Sequence, residues 1–290
     1  MLKPLTLGGA FVEAAHALRQ AGIETPELDV RLLLCHAADL THEASIARAR
    51  DELHPNAAAR LDDAIARRLR REPVARIVGE REFYGRQFLV DGHTLDPRPD
   101  TETLIEAALA CAERKGWRSK ALNLLDLGTG TGAILITLLA ELPQAHGLGT
   151  DRSHAALALA AANAKRLGVG PSAAFAASDW LDAVEGKFDL ILANPPYILS
   201  GEIENLADDV ALYDPMLALD GGPDGLEAYR RIAAHASRFL AEDGRLIVEI
   251  GAGQAEAVTG IFRAAGLKLD DDEPVRHDLA GKPRVLVAAP

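Results

Sequence analysis

The sequence predicts an α/β protein: a mostly parallel seven-stranded sheet covered by helices, preceded by a small all-helical N-terminal domain and a β-hairpin linker. Three observations carry this expectation. Beyond residue 120, short apolar strands alternate with helices; residues 1 to about 70 have apolar positions at helical spacing; and between them an aromatic and β-branched stretch alternates around Gly79 and Gly85. The changes of pattern set expected boundaries at 1–73, 74–96 and 97–290.

The helical part rests on "FVEAAHALRQAG" and "ELDVRLLLCHAADL", separated by the turn signals "AGIETP" and "ELHPN". It ends in "ARRLRREP", where Arg67, Arg68, Arg70 and Arg71 suit a helix C-terminus; a solvated helix end is preferred here over a partner-binding patch. "VARIVGEREFYGRQFLVDGHTL" is expected to form the hairpin, and "DPRPDTETLIEAALACAERKG" a proline-rich bend followed by a helix with Asp100 or Thr101 as N-cap. The seven strands are read in "LNLLDLG", "AHGLGTD", "AAFAASD", "FDLILAN", "GRLIVEIG", "GLKLDD" and "PRVLVAA". On such sheets ligands bind at the carboxyl ends of the strands.

Composition narrows the function classes. With 290 residues, 48% of them hydrophobic and 26% charged, the chain can bury a sizeable core, and no apolar run approaches the roughly 20 residues of a bilayer span. The amino terminus lacks the apolar core of a signal peptide, so the expected setting is cytoplasmic. Cys35 and Cys111 lie far apart in apolar helical patterns, which favours buried thiols over a disulfide or a zinc site. Residues 1–90 hold 13 basic and 13 acidic side chains, so the whole net charge of −12 falls on the remainder. An acidic C-terminal part is a poor match for a polyanion, and stable nucleic-acid binding is not expected.

Two motifs carry chemistry. In "LLDLGTGTGAI", Asp126 and Leu127 end the first strand of the α/β part, and Gly128, Thr129, Gly130 and Gly132 form the turn into a helix. Glycines there let backbone amides approach a ligand at a helix N-terminus. The second strand ends on Asp151, placed to accept hydrogen bonds from both hydroxyls of a ribose, and the third ends on Asp179 and Trp180. Asp179 could instead be a helix N-cap and Trp180 core. A dinucleotide enzyme would show the fuller G-x-G-x-x-G turn, and an acid beside the loop repels a pyrophosphate. S-adenosylmethionine, with a sulfonium, an ammonium and no phosphate, fits the acidic rim better. In "FDLILANPPYIL" the fourth strand ends on Asn194, followed by Pro195, Pro196 and Tyr197. The prolines hold Asn194 extended and fix the main chain beyond it, so its polar groups lose little freedom when they bind.

"DLGTGTG", "TD", "SDW" and "NPPY", in this order, resemble the Rossmann-like class I S-adenosylmethionine-dependent methyltransferases that modify planar amide or amino nitrogens. "EPVARIVGEREFYGRQF", "DPRPDTETLIE", "ANPPYI", "LALDGGPDGLEAYRRI" and "HDLAGKPRVLVA" are similar to the release factor glutamine methyltransferases, the PrmC/HemK family, over nearly the whole chain. Asp96 before "PRP", Arg76, and Asp214 in "YDP" depart from the family's usual residues, all at supporting positions.

The resemblance implies methyl transfer from S-adenosyl-L-methionine, leaving S-adenosyl-L-homocysteine, to the side-chain amide nitrogen of the glutamine in a Gly-Gly-Gln motif of release factors. It assigns the cofactor to Asp126, Leu127, Gly128, Thr129, Gly130, Asp151, Asp179, Trp180 and Asn194. The glutamine goes to Asn194, Pro195, Pro196 and Tyr197, with Asn194, Pro195 and Tyr197 at the reacting centre. Asn194 Oδ1 and the Pro195 carbonyl would accept the two N–H groups, turning the nitrogen lone pair toward the methyl group. Neither a metal nor a strong general base is expected, and the protein is read as a monomer whose helical domain recognises the release factor. The readings set beside this one are a glutamine methyltransferase of a large-subunit ribosomal protein, a methyltransferase of base amino groups in nucleic acid, and a non-catalytic cofactor-binding module.

Overall fold

The computed structural model of the protein describes residues 5–270 and 273–290. The chain divides into two compact units, one made of residues 5–80 with Ala207–Tyr213, the other of Arg81–Leu206 with Asp214–Pro290.

The first unit is helical. Helix α1 (Leu7–Gln20) starts at Thr6, whose hydroxyl accepts the Gly9 N–H at 3.1 Å, and α2 (Pro26–Ala38) starts with proline, which has no N–H to leave unpaired. Helices α3 (His42–Ala47), α4 (Pro55–Leu69) and α5 (Val74–Val78) follow, and Leu7, Leu33, Leu34, Leu61 and Ile77 form a common core. The arginine cluster is not a solvated helix end. Arg68 is buried, its Nε donating to Asp29 Oδ2 at 2.7 Å; Arg67 pairs with Glu72; and Arg71 donates to the carbonyls of Ala21 and Gly22. Nor does the hairpin begin at Val74, since Pro73 opens α5 and the left-handed Gly79 (φ 81°) ends it. Cys35 is half-buried and Cys111 buried, both free thiols.

The second unit opens with the hairpin β1 (Glu80–Phe83) and β2 (Arg86–Leu89), turned through Tyr84 and Gly85, both at positive φ as a tight two-residue turn requires. A 3-10 turn (Pro99–Thr101) leads into α6 (Glu102–Arg114). Thr101 precedes that helix, but its side chain makes no capping bond. Strand β3 (Asn123–Leu127), α7 (Ala133–Glu141), β4 (His146–Asp151), α8 (His154–Arg166), β5 (Ala173–Ala177) and β6 (Phe188–Ala193) follow in alternation. After two four-residue helices, α9 (Asp208–Ala211, in the helical unit) and α10 (Met216–Leu219), come α11 (Glu227–Phe239), β7 (Leu240–Glu249), α12 (Ala255–Ala264), β8 (Lys268–Leu269), β9 (Val275–His277) and β10 (Pro283–Ala289).

The sheet order is β5-β4-β3-β6-β7-β10-β8, parallel through β7 and antiparallel at β10. All seven expected strands are on this path; the short β9 adds an eighth by pairing with β10. Side chains alternate between the faces as the pleat requires. Leu124, Leu190, Leu192 and Ile247 pack with α6 and α7, whereas Leu125, Leu127, Ile191 and Val248 pack with α11 and α12. Each such fully buried side chain contributes about 1.5–3 kcal/mol, so a one-residue slip of register would expose a whole face. Among the described residues no helix is long and apolar enough to cross a membrane.

Candidate active site

Strand register brings the predicted residues together. Leu127 pairs with Thr150 on β4 and Ala193 on β6, Asp151 with Ala177 on β5, and Ala193 with Val248 on β7. The residues just past these pairs, Gly128, Ser178, Asn194 and Glu249, therefore emerge with Asp151 along one carboxyl edge. Sheet order reverses at β3, the position where open α/β sheets leave a crevice.

The glycine turn is shaped from below by two acids. Gly128, Gly130 and Gly132 have φ of 70°, 54° and 80°, which side-chain-bearing residues adopt at a cost. Asp151 accepts the Gly130 N–H at 3.0 Å with one oxygen and the Ser153 N–H at 2.9 Å with the other, tying the turn to the start of α8. Asp126 is completely buried; one oxygen accepts the Thr129 hydroxyl at 2.6 Å, and the other, Oδ1, has no hydrogen-bond partner. Burial pushes its carboxyl up to about 7, the Thr129 bond working against that rise.

The Asn-Pro-Pro-Tyr turn is held by a segment far along the chain. A Cβ on Gly221 would lie 2.8 Å from Tyr197 Cα, and one on Gly225 2.5 Å from the Tyr197 carbonyl oxygen. Only glycines allow this approach. The Gln254 side-chain amide donates to both the Tyr197 and Gly225 carbonyls at 3.1 Å, clamping the two loops together. Asn194 Nδ2 donates to Thr101 Oγ1 at 3.1 Å, which leaves Asn194 Oδ1 as the free end of the amide. Burial raises the Tyr197 phenol above its usual value, so it stays neutral.

A cavity of about 420 Å³ opens over this edge. Gly128, Thr129, Gly130, Asp151, Trp180, Asn194 and Pro196 line it, whereas Asp126, Leu127, Asp179, Pro195 and Tyr197 are not part of its lining. Trp180 has φ of 55°, packs against the core and lines the cavity. Asp179 caps no helix and is paired with Arg231 at 2.9 Å. Asp96 and Asp214 reach the site as well: Asp96 lines the cavity, and buried Asp214 accepts from Arg98 Nη2 at 2.6 Å. Among the described residues no group of three or more His, Cys, Asp or Glu side chains could hold a metal ion.

Sequence reasoning passed over Thr101, Glu249 and Gln254. Thr101 looked like a cap; its lack of a capping bond releases the hydroxyl for Asn194. The acid in "LIVEIG", alone in an apolar strand, was the available signal for Glu249.

Two family models match parts of the chain. Residues 10–79 match a family model described as PrmC N-terminal domain, and residues 108–213 one described as Methyltransferase small domain. The release factor glutamine methyltransferase of Cereibacter sphaeroides is 50% identical over 279 residues, 96% of each chain. Its namesake in Rhodospirillum rubrum is 46% identical over 284 residues, 98% of this chain and 85% of that protein. Among solved structures, the hMettl16 catalytic domain in complex with MAT2A 3'UTR hairpin 6 has a TM-score of 0.55 at 14% identity over 81% of each chain, a likeness of fold alone.

Proposed function

The chain belongs to the release factor glutamine methyltransferases, and on that premise we propose that it uses S-adenosylmethionine to methylate the side-chain amide nitrogen of the glutamine in a release factor's Gly-Gly-Gln motif. The residues around the cavity fit that cofactor. Gly128 and Gly130 expose main chain, Trp180 and Ile134 supply flat apolar surface for a purine, and each Asp151 oxygen keeps a lone pair for a ribose hydroxyl. The volume of about 420 Å³ lies in the range of small-molecule sites. Leu127 and Asp126 support the turn from behind, and Asp179, held by Arg231, braces the Trp180 side of the wall.

When bound, S-adenosylmethionine supplies an electrophilic methyl group. The work of the chain is to present a poor nucleophile to it, because the amide lone pair is delocalised into the carbonyl. Asn194 Oδ1 accepts one N–H of the glutamine and the Pro195 carbonyl accepts the other, which turns the nitrogen toward the methyl group and favours positive charge on it as the bond forms. Pro195 and Pro196 keep both acceptors in place before substrate arrives. Tyr197, neutral and clamped through its carbonyl by Gln254, flanks the amide. The surplus proton leaves to water, since a methylated, positively charged amide nitrogen is strongly acidic.

The single observation behind this reading is the Asn194 amide, whose nitrogen is engaged by Thr101 so that its oxygen is left to accept. The test is mass spectrometry of a purified release factor after incubation with enzyme and cofactor. A one-methyl gain on the Gly-Gly-Gln glutamine is expected. Asn194→Ala should retain cofactor binding yet turn over about 10²–10³ times more slowly, as when other preorganised polar groups at a reacting centre are removed. Wild-type turnover by that variant would remove Asn194 from the role.

A further inference from the structure

Behind Asn194 lies a buried row of polar groups. Thr101, 4% exposed, accepts from Asn194 Nδ2 at 3.1 Å, and the buried carboxyl group of Glu249, 2% exposed, lies beside its hydroxyl. Val248 pairs with Ala193, so Glu249 and Asn194 leave neighbouring strands at the same level. The Glu249 Oε2 has no hydrogen-bond partner, while its main-chain carbonyl accepts from the Tyr229 hydroxyl at 3.0 Å. A buried, half-satisfied carboxyl group destabilises a fold relative to an apolar residue of similar size, so its presence calls for a reason other than packing.

The row has a direction. An ionised carboxylate only accepts, so it draws the single hydroxyl proton of Thr101 toward Glu249. Thr101 can then only accept from Asn194, which turns the Asn194 NH₂ inward and its oxygen outward. A protonated Glu249 could donate instead, freeing the Thr101 proton for Asn194 and letting the amide turn over, with NH₂ facing the substrate's own NH₂. We propose that Glu249, acting through Thr101, is a positioning residue that holds the oxygen of Asn194 toward the substrate. The proposal rests on the reading of Asn194 as the acceptor of the glutamine N–H.

Several groups face Glu249. Arg284 on β10 favours its charge, Asp100 opposes it, and the phenols of Tyr197 and Tyr229 lie nearby. Burial dominates and pushes the carboxyl up to about 7. The outward orientation of the Asn194 oxygen needs the ionised form, so turnover at saturating cofactor rises with pH through this region and levels off above it.

Glu249→Gln removes that directionality, because a Gln amide can donate or accept. Its kcat should fall about 10- to 100-fold above neutral pH, the range seen when outer partners of a preorganised site are lost. The rising limb should vanish, with cofactor affinity within about twofold of wild type. Thr101→Val should match it, Thr101→Ser should restore most activity, and the Thr101→Val/Glu249→Gln double variant should be no slower than either alone. Should Glu249→Gln fail to fold, the Thr101→Val and Thr101→Ser pair carries the test. Wild-type kcat in Thr101→Val, a persisting pH limb in Glu249→Gln, or an effect confined to cofactor affinity would overturn the proposal. Asn194→Ala separates the levels: if it alone abolishes turnover, only the role of Glu249 fails, whereas wild-type turnover in Asn194→Ala removes the acceptor reading itself.

Discussion

Replacing Gly225 with alanine should displace the Asn-Pro-Pro-Tyr turn while leaving every residue proposed to bind substrate unsubstituted. Gly225 has φ of 70°, and an added Cβ would sit 2.5 Å from the Tyr197 carbonyl oxygen and 2.8 Å from Gln254 Nε2. The left-handed backbone alone costs about 1–2 kcal/mol in a residue with a Cβ. Both neighbours in collision are partners in the Gln254 clamp, so losing one of its bonds adds about 0.5–1.5 kcal/mol. Together the loss is about 1.5–3.5 kcal/mol. The backbone part can be measured by itself with Gly186→Ala, since Gly186 has φ of 94° and open space around its would-be Cβ. The assay is methyl transfer to purified release factor alongside thermal unfolding of both variants. Gly186→Ala should lose a little stability and no activity. Gly225→Ala should lose about tenfold to a hundredfold in kcat, because a displacement near 1 Å is enough to spoil alignment of reacting groups. If Gly225→Ala turns over like Gly186→Ala, the Asn-Pro-Pro-Tyr turn is not held by this close approach.

Two further outcomes concern stability. Arg68→Ala strands the buried Asp29 carboxylate and should destabilise the helical unit by about 3–5 kcal/mol, read from denaturant unfolding by circular dichroism; an Asp29→Leu/Arg68→Met pair should recover most of the loss, and equal damage in both would count against the ion pair. Asp126 titrates near 3.8 when unfolded and at about 7 when folded, so between those values the folded protein keeps a proton that the unfolded chain has lost. Its contribution is therefore full at low pH and is lost as pH rises through about 7, in the same sense as that of Glu249. Asp126→Asn should flatten the fall in urea midpoint between about pH 4 and about pH 7, and an unchanged fall would show that Asp126 does not titrate there.

Local signals in the sequence were enough for the layered α/β architecture, because alternation of strands and helices and the two-residue pleat are written in neighbouring residues. The glycine turn, Asp151 and Asn194 were legible for the same reason: each ends a recognisable strand. Where a residue's partner is remote, the reading failed. The arginines at the end of α4 looked solvated, yet Arg68 is sealed against Asp29, 39 positions away. Thr101 looked like a cap and is instead the acceptor for Asn194, 93 positions away.

What the sequence determined by itself, then, is which residues stand at strand ends and which backbone positions are rigid or permissive, since prolines and glycines act on their own peptide units. What only the tertiary structure decided is which of those ends face one another and which atom of each side chain is left free. Sheet order and register set both: by pairing Ala193 with Leu127 on one side and Val248 on the other, they place Asn194 between the glycine turn and Glu249.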